Sequence, residues 1–327
     1  MEIIINNTDQ KLLGLLQSEF PLTQEPYAEL GKKMGASGDE VLKQIGMLKE
    51  NGLVRAIGPV FHPAHLGYKT TLVAMRVFGV EMDNATRILN DHPMVSHAYE
   101  RDHHFNLWFT LGFPENTDIG PEIDNLSHKM KAEAAFALPA RRLFKLRTYF
   151  GNNKGTNESG TKDTIGTKYS PVQLSVMDRR IINELQQDLP QTTHPFADMS
   201  ARVDMSENEF LTGCQSLLMR GVMRRFGVAI NHRQAGYIAN GMTCWEAPPG
   251  KLDVAADILT AQSAVSHCYE RETNLLWKYN LFAMIHGYTR EECVEIADSV
   301  FAQTELTDYV VLFSTKEIKK TRVRYQV

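Results

Sequence analysis

Residues 95–101 read VSHAYER and residues 265–271 read VSHCYER, so six of seven positions agree between two distant parts of one chain. In a β-strand, successive side chains point to opposite faces. The residues that would share one face are His97, Tyr99 and Arg101 in the first copy and His267, Tyr269 and Arg271 in the second. The sequence therefore predicts two strands that each carry an ionisable face.

The repeat extends well beyond this heptapeptide. Residues 18–58 align without a gap to residues 187–227, and each half ends in a basic segment, LFKLRTYF at 143–150 and IKKTRVRY at 318–325. Between the halves, residues 151–170 are rich in Gly, Ser, Thr and Asn. That composition is typical of a flexible linker. We interpret the chain as a fused tandem of two related units.

Each unit begins with a helical pattern. The predicted helices of the first unit span 8–17 and 26–34, followed by a third that Ser37 caps and Gly52 ends. Those of the second unit span about 174–186, 195–203 and 206–220. Three short helices joined by tight turns indicate a helix-turn-helix.

The remainder of the first unit predicts an antiparallel sheet with two helices. The predicted elements are strand 68–80, helix 82–91, strands 94–102 and 105–113, helix 117–135 and strand 141–150. This βαββαβ order is ferredoxin-like, and one face of such a sheet can bind a ligand or partner. The predicted fold is α+β, a tandem repeat of helix-turn-helix plus ferredoxin-like domains. The predicted domains are 1–59, 60–150, the linker 151–170, 171–228 and 229–327.

Composition limits the function classes. A chain of 327 residues with 43% hydrophobic and 23% charged residues is typical of a soluble globular protein with two or more domains. A formal charge of −4 disfavours a general nucleic-acid surface. The cysteines, which form no C-x-x-C pair and are expected to be reduced, are Cys214, Cys244, Cys268 and Cys293. No apolar run approaches the ~18 residues of a membrane helix, so we expect a cytoplasmic protein that does not contact membranes.

A helix-turn-helix followed by a ferredoxin-like domain resembles the plan of the Lrp/AsnC superfamily, which leaves a transcriptional regulator and an enzyme as alternatives. A helix that reads DNA needs polar groups toward the groove and cations for the phosphates. The third helix of the first unit is acidic in its first turn, and its counterpart has no cation before Arg220. We therefore expect no specific DNA binding.

Several motifs together resemble the sirohaem decarboxylase family. They are G-L/V-x-R-x-x-G at 52–58 and 221–227, V-S-H-x-Y-x-R, the Asn of FNLW and YNLF, and the closing FKLR and KKTRVRY. The resemblance covers the whole chain except the linker. It implies a lyase that removes CO2 from the C12 and C18 acetate groups of sirohaem to give didecarboxysirohaem, for haem or haem d1 biosynthesis. The alternative is an Lrp/AsnC-like regulator that senses haem or a small metabolite.

A tetrapyrrole with many carboxylates requires cationic contacts, and the arginine fork pairs with a carboxylate in a bidentate manner. The basic residues predicted to bind the substrate are Arg101, Arg271, Arg55, Arg224, Arg225, Lys145, Arg147, Lys320, Arg322 and Arg324. Trp108, Asn106 and Asn280 are added as substrate-binding candidates. Each of these positions also has a structural explanation, a solvated charge or a core aromatic.

The repeated histidines are the strongest catalytic candidates. Loss of CO2 leaves an electron pair that the macrocycle accepts or a proton meets, and a histidine can deliver that proton. His97 and His267 are predicted to be catalytic, with Tyr99 and Tyr269 orienting them or bonding a propionate. One of the two histidines can instead be an axial ligand of the substrate iron, and the sequence leaves these roles open. No cofactor and no protein-bound metal are expected, because the substrate carries iron and a conjugated ring. We expect the two halves to pair within the chain, and leave a further homodimer open.

Overall fold

The protein is described here from a computed structural model that covers residues 6–18, 20–146, 163–164, 172–230 and 239–327. Most of the predicted linker 151–170 lies outside these ranges, as does Arg147, one of the predicted substrate-binding residues.

Three helices open each half of the chain. They are α1 (Asn7–Ser18), α2 (Pro26–Met34) and α3 (Gly38–Glu50) in the first half, and in the second half they correspond to α6 (Val176–Leu185), α7 (Pro195–Arg202) and α8 (Glu207–Met219). The Ser37 side chain accepts a hydrogen bond from the Glu40 backbone and the Glu40 side chain accepts one from the Ser37 backbone, the reciprocal arrangement that stabilises a helix N-terminus. Ser206 and Glu209 repeat it at α8. The predicted helix-turn-helix is confirmed in both halves.

Apart from strands that the sequence did not predict, the strands and the remaining helices follow in the predicted order. The first half contains β1 (Val54–Phe61), β2 (Tyr68–Arg76), α4 (Met82–Asp91), β3 (Val95–Arg101), β4 (Leu107–Pro114), α5 (Gly120–Lys129) and β5 (Ala134–Leu146). A two-residue strand, β6 (Asp163–Thr164), lies beside β5. The second half contains β7 (Met223–Ile230), β8 (Ala239–Glu246), α9 (Leu252–Ala261), β9 (Val265–Arg271), β10 (Leu281–Gly287), α10 (Arg290–Thr304) and β11 (Asp308–Lys320).

The two ferredoxin-like sheets join into one closed antiparallel ring. The pairing order is β2-β4-β3-β11-β8-β10-β9-β5, and β5 also pairs with β2. Each long final strand is shared between the halves: β5 begins beside β2 and continues beside β9, while β11 begins beside β8 and continues beside β3. The predicted pairing of the two halves within the chain is therefore confirmed.

The ring separates three cores. Helices α4 and α5 cover one outer face and α9 and α10 the other. Inside, an aromatic core fills the space between the two sheets, with Trp108, Phe136, Trp277 and Phe282 among its members. A fourth core joins both helix-turn-helix units, which are linked by the antiparallel pairing of β1 with β7.

The structure differs from the sequence prediction at several elements. Strand β1 and its counterpart β7 were not predicted, and β1 crosses the predicted boundary at residue 59/60. The predicted helix 117–135 ends at Lys129, because Lys131 adopts a left-handed backbone with φ of 50°. Strand β5 consequently begins at Ala134, seven residues before the predicted start at 141.

No helix within the described ranges combines the length and the apolar character that crossing a membrane demands.

Candidate active site

The two repeated histidines lie on the inner side of the ring. Ala98 and Cys268, their neighbours in sequence, point outward into the helix-covered cores. His97 and His267 are half-buried, and each Nδ1 atom is hydrogen-bonded to the preceding serine, Ser96 at 2.9 Å and Ser266 at 2.7 Å. The prediction that the heptapeptide presents an ionisable face is correct.

A lysine and a third histidine complete what we call the histidine cluster: His97, His267, His286 and Lys320. Lys320 is the residue of β11 opposite His97 in the strand register. The Nε2 atom of His286, on β10, lies 2.7 Å from the Ser266 hydroxyl. His286 was not predicted, and it has no repeat partner in the sequence, because the matching position of β4 is Gly112. Only the strand register reveals it.

Burial and mutual repulsion keep these imidazoles neutral. Desolvation and, to a smaller extent, the charges of Lys320 and Arg55 together lower the pKa of His97 to about 4. The pKa of His267 is also lowered to about 4, by desolvation and by His97, Lys320 and Arg271. Desolvation, His267 and Lys320 lower the pKa of His286 to about 3. An anion beside the cluster would raise all three pKa values, because its charge favours the protonated imidazoles.

Arg101 and Arg271 connect the two halves of the ring. Arg101 Nη1 donates to the Leu312 carbonyl oxygen at 2.7 Å, and Arg271 Nη1 donates to the Leu138 carbonyl oxygen at 2.8 Å. Each guanidinium also lies over the tyrosine of its own motif, 5.4 Å from the Tyr99 ring centre for Arg101 and 4.8 Å from the Tyr269 ring centre for Arg271. Arginine and tyrosine of each motif thus support each other structurally, in addition to any contact with a ligand.

Arg55 and Arg224 approach the inner face from the β1–β7 ribbon, but they differ in charge balance. Arg55 Nη2 bonds Glu317 Oε1 at 2.7 Å, and its charge influences His97. Arg224 occupies the matching position of the second half, where its charge partly opposes the desolvation that raises the pKa of Tyr269. Glu317 of β11 corresponds to Leu143 in β5, and no carboxylate among the described residues pairs with Arg224. The predicted contact of Arg224 with a substrate carboxylate stays a prediction.

The remaining arginines that were predicted to bind substrate differ in their surroundings. Arg322 lies against the backbone of Gly58, where a Cβ atom would overlap its guanidinium, and burial lowers its pKa. Arg225 is close enough to lower that pKa further, and its Nη1 donates to the Gln17 carbonyl oxygen at 3.3 Å. Arg324 is exposed and does not join the histidine cluster.

Three predicted substrate-binding residues have structural partners instead. Lys145 Nζ donates to the Thr260 and Gln262 carbonyl oxygens, both at 2.7 Å, and so caps the C-terminus of α9 on the outside of the ring. Asn106 bonds the backbone N–H and carbonyl of Val77 with its side-chain amide, and Asn280 does the same to Ala247. The amides of both asparagines are thus occupied by backbone, and a contact of these residues with substrate stays a prediction.

Trp108 belongs to the aromatic core and leaves no face open to a macrocycle. It is 1% exposed, and its Nε1 donates to the Phe105 carbonyl oxygen at 2.6 Å. Trp277, from the longer β9–β10 hairpin of the second half, packs against it with ring centres 5.0 Å apart. The extra residues of that hairpin therefore close one end of the ring, and the histidine cluster remains at the other end, near the β1–β7 ribbon.

No group of His, Cys, Asp and Glu in the part of the chain that the structure describes has the arrangement of a metal site. The expectation of a protein that supplies no complete metal site stays a prediction.

Family models match nearly all of this architecture. The "AsnC-like ligand binding domain" matches residues 65–145 and 234–319. The "Siroheme decarboxylase NirDL-like HTH domain" matches residues 9–55 and 178–224. A siroheme decarboxylase from Hydrogenobacter thermophilus is 35% identical to this chain, over 98% of the chain and 96% of the relative. The chain belongs to the sirohaem decarboxylase family.

Two further comparisons show the form of this family member. The crystal structure of siroheme decarboxylase NirDL with an iron-uroporphyrin III analogue is 32% identical and superposes with a TM-score of 0.73, covering 98% of this chain and 95% of that one. The siroheme decarboxylase beta subunit of Methanosarcina barkeri is 36% identical over 45% of this chain and 97% of that subunit. This member of the sirohaem decarboxylase family therefore joins in one chain two units that correspond to separate subunits elsewhere.

Proposed function

We propose that this chain decarboxylates sirohaem, removing CO2 from the acetate groups at C12 and C18 to give didecarboxysirohaem. The observation that carries the proposal is the convergence of both VSHxYER strands on one histidine cluster, in a chain related over its full length to sirohaem decarboxylases. The analogue bound to NirDL is a tetrapyrrole, and the histidines, Lys320 and arginines of the inner face fit the same class of ligand.

Substrate carboxylates bind to cations on the inner face of the ring. Arg224 pairs with no carboxylate among the described residues, and Lys320 lies within electrostatic reach of all three histidines. A charge-assisted hydrogen bond to a carboxylate contributes about 1.5–3 kcal/mol. Several such contacts hold the macrocycle beside the histidine cluster.

The reaction breaks the bond between the acetate methylene carbon and the carboxyl carbon. The released electron pair is delocalised into the substrate's own conjugated ring, and a proton then bonds to the methylene carbon to give a methyl group. No separate cofactor is needed for this chemistry. An imidazole of the histidine cluster supplies the proton, because the bound carboxylates raise its lowered pKa toward neutrality.

Anaerobic incubation with sirohaem followed by mass analysis of the pigment tests the proposal. We expect loss of two CO2 units, and we expect a variant with both His97→Ala and His267→Ala to return unchanged sirohaem. Pigment that binds to the wild-type protein and keeps both carboxyl groups would contradict the proposal and favour a ligand sensor.

The geometry of the helix-turn-helix units disfavours a DNA-binding regulator. Lys49 of α3 forms an ion pair with Asp188 of the other unit at 2.8 Å, and Gln24 bonds Asn208 of α8 at 3.0 Å. Each helix that would read DNA is therefore engaged by the opposite unit. In a mobility-shift assay at physiological salt we expect binding no tighter than the ~10⁻⁴ to 10⁻⁶ M of non-specific contacts. A nanomolar, sequence-selective shift would revive the regulator.

A further inference from the structure

One hydroxyl group connects two imidazoles in the second half of the chain. Ser266 Oγ lies 2.7 Å from His267 Nδ1 and 2.7 Å from His286 Nε2. Both distances are those of good hydrogen bonds. His286 is 8% exposed, so its partners are set by the protein and not by bulk water.

Among the described residues of the first half, no second imidazole is joined to the equivalent serine. Ser96 bonds His97 Nδ1, but the position matching His286 is Gly112: the Gly112 backbone N–H donates to Met94, as that of His286 does to Ala264. A Cβ atom on Gly112 would lie 3.3 Å from Met94 Cε and 3.4 Å from Val323 Cγ1. The space that an imidazole would need is thus occupied by apolar side chains. The two heptapeptide histidines are therefore inequivalent, although their own motifs are nearly identical.

We propose that His286 is a positioning residue that acts through Ser266 on His267, and that His267, rather than His97, delivers the proton that replaces CO2. This inference rests on the proposed decarboxylase function. His267 directs Nε2 to the substrate, because its Nδ1 atom is engaged by Ser266.

Protons are conserved when they move along the hydrogen bonds from His286 through Ser266 to His267. When substrate is bound, the His267–His286 pair carries one extra proton. His267 Nε2–H gives its proton to the methylene carbon, the Ser266 hydroxyl proton moves to His267 Nδ1, and the His286 Nε2 proton moves to Ser266 Oγ. Both imidazoles end neutral, no imidazolate forms, and one proton from solvent restores the pair before the second decarboxylation.

The surroundings explain why this proton arrives only with substrate. The groups within electrostatic reach of the pair are His97 from β3, Lys320 from β11 and Arg271 from β9, all of which oppose a further positive charge. The negative charges of a bound polyanionic macrocycle instead favour an added proton on the histidine pair. Proton uptake is thereby coupled to substrate binding.

Steady-state kinetics on full-length variants with sirohaem test the proposal. We expect His286→Gln and Ser266→Ala each to lower kcat by about 10- to 100-fold, the loss typical of outer partners of a functional histidine. KM should stay within about threefold, since neither side chain contacts substrate. The double variant should lose no more than the worse single variant, because both changes break one chain. Ser96→Ala, the matched change in the first half, should cost kcat much less.

A rescue experiment separates proton supply from structure. His286→Gly reproduces the residue of the first half, and added imidazole should restore kcat, whereas pyrazole, similar in shape but far less basic, should not. Unchanged kcat in His286→Gln, losses that multiply in the double variant, equal rescue by both compounds, or a loss confined to KM would each overturn the proposal. An inactive wild-type protein would instead remove the proposed function itself.

Discussion

Lys320 lies opposite His97 in the β3–β11 pairing, whereas Leu146 lies opposite His267 in the equivalent β5–β9 pairing. The ring is thus symmetric in its backbone and asymmetric in its charge. Lys320 acts on all three imidazoles of the histidine cluster and lowers the pKa of each.

Replacing Lys320 should change both the pKa values of the neighbouring histidines and the affinity for sirohaem. Lys320→Leu, which copies the first half, removes a positive charge and should raise the pKa of His97, His267 and His286 in the ligand-free protein. The same variant should bind sirohaem about 10- to 100-fold more weakly, because a charge-assisted contact is lost. Histidine NMR titration and anaerobic pigment titration measure the two effects. Lys316→Leu on the same strand is a charge-matched control, and equal effects from both variants would argue against a local role.

The two heptapeptide histidines should differ in the step that they affect. His267→Ala should lower kcat by the ~10² to 10⁴ of a lost acid–base group. His97→Ala should mainly weaken substrate binding or alter the iron spectrum, because its Ser96 has no second imidazole to connect. Kinetics and pigment spectra on the single variants distinguish these outcomes. Two variants with the same half-loss of activity and unaltered binding would indicate two equivalent sites.

Sequence repetition identified the correct face of β3 and β9 but not the roles of every repeated residue. Asn106 and Asn280 are repeated as faithfully as the histidines, yet each bonds a neighbouring backbone segment. A repeated fold preserves its structural contacts as well as its chemistry. His286, which is not repeated, could not be recognised until the strand register placed it beside Ser266.

The asparagines should therefore affect stability and leave ligand affinity intact. Asn280→Ala leaves the N–H and carbonyl of Ala247 without their partner, which costs about 1–3 kcal/mol for a buried unsatisfied group. Denaturant unfolding should show this loss, while sirohaem titration of the folded variant should give the wild-type affinity. Asn106→Ala is the matched test in the first half. A weakened affinity at unchanged stability would restore the original substrate-binding prediction.

Removal of Arg55 and removal of Arg224 should differ in their effect on stability. Arg224→Ala should weaken sirohaem binding by about 10-fold or more with little loss of stability, because it removes a cation that no described carboxylate neutralises. Arg55→Ala leaves Glu317, half-buried, without its ion-pair partner. It should therefore lower the thermal midpoint, and the freed carboxylate should repel the substrate. If both variants bind sirohaem with wild-type affinity, the β1–β7 ribbon does not contribute to the site.

The order of elements could be read from the sequence because helix caps and hydrophobic periodicity are local signals. Ser37 and Pro26 mark helix starts, and the observed bounds follow them. Strand β1 could not be predicted in the same way: its pairing partner β7 lies about half the chain away, and only that pairing satisfies its backbone. The left-handed turn at Lys131, a residue with no special preference for it, likewise depends on tertiary contacts.

The free energy of unfolding should decrease as the pH falls, over a pH range set by the histidine cluster. His97 and His267 have pKa values of about 4 in the folded protein and His286 about 3, against about 6.5 in an unfolded chain. Between these values the unfolded chain binds more protons than the folded one, so the free energy of unfolding decreases as the pH falls from about 6.5 toward 4. Above about 6.5 all three imidazoles are neutral in both states, and their contribution no longer changes with pH.

Denaturant unfolding of the ligand-free protein at pH 7.5, 6.0 and 5.0 measures this slope. His286→Gln should flatten it, because one of the three groups that gain protons on unfolding is gone. Surface carboxylates with lowered pKa values, such as Asp308 beside Lys278, lose their contribution only at lower pH and do not explain a change near pH 6. Bound sirohaem should oppose the trend, since its carboxylates favour the charged imidazoles. A stability that is flat from pH 7.5 to 5.0, or that rises on acidification without ligand, would show that the histidines bind protons in the folded protein at least as readily as in the unfolded chain.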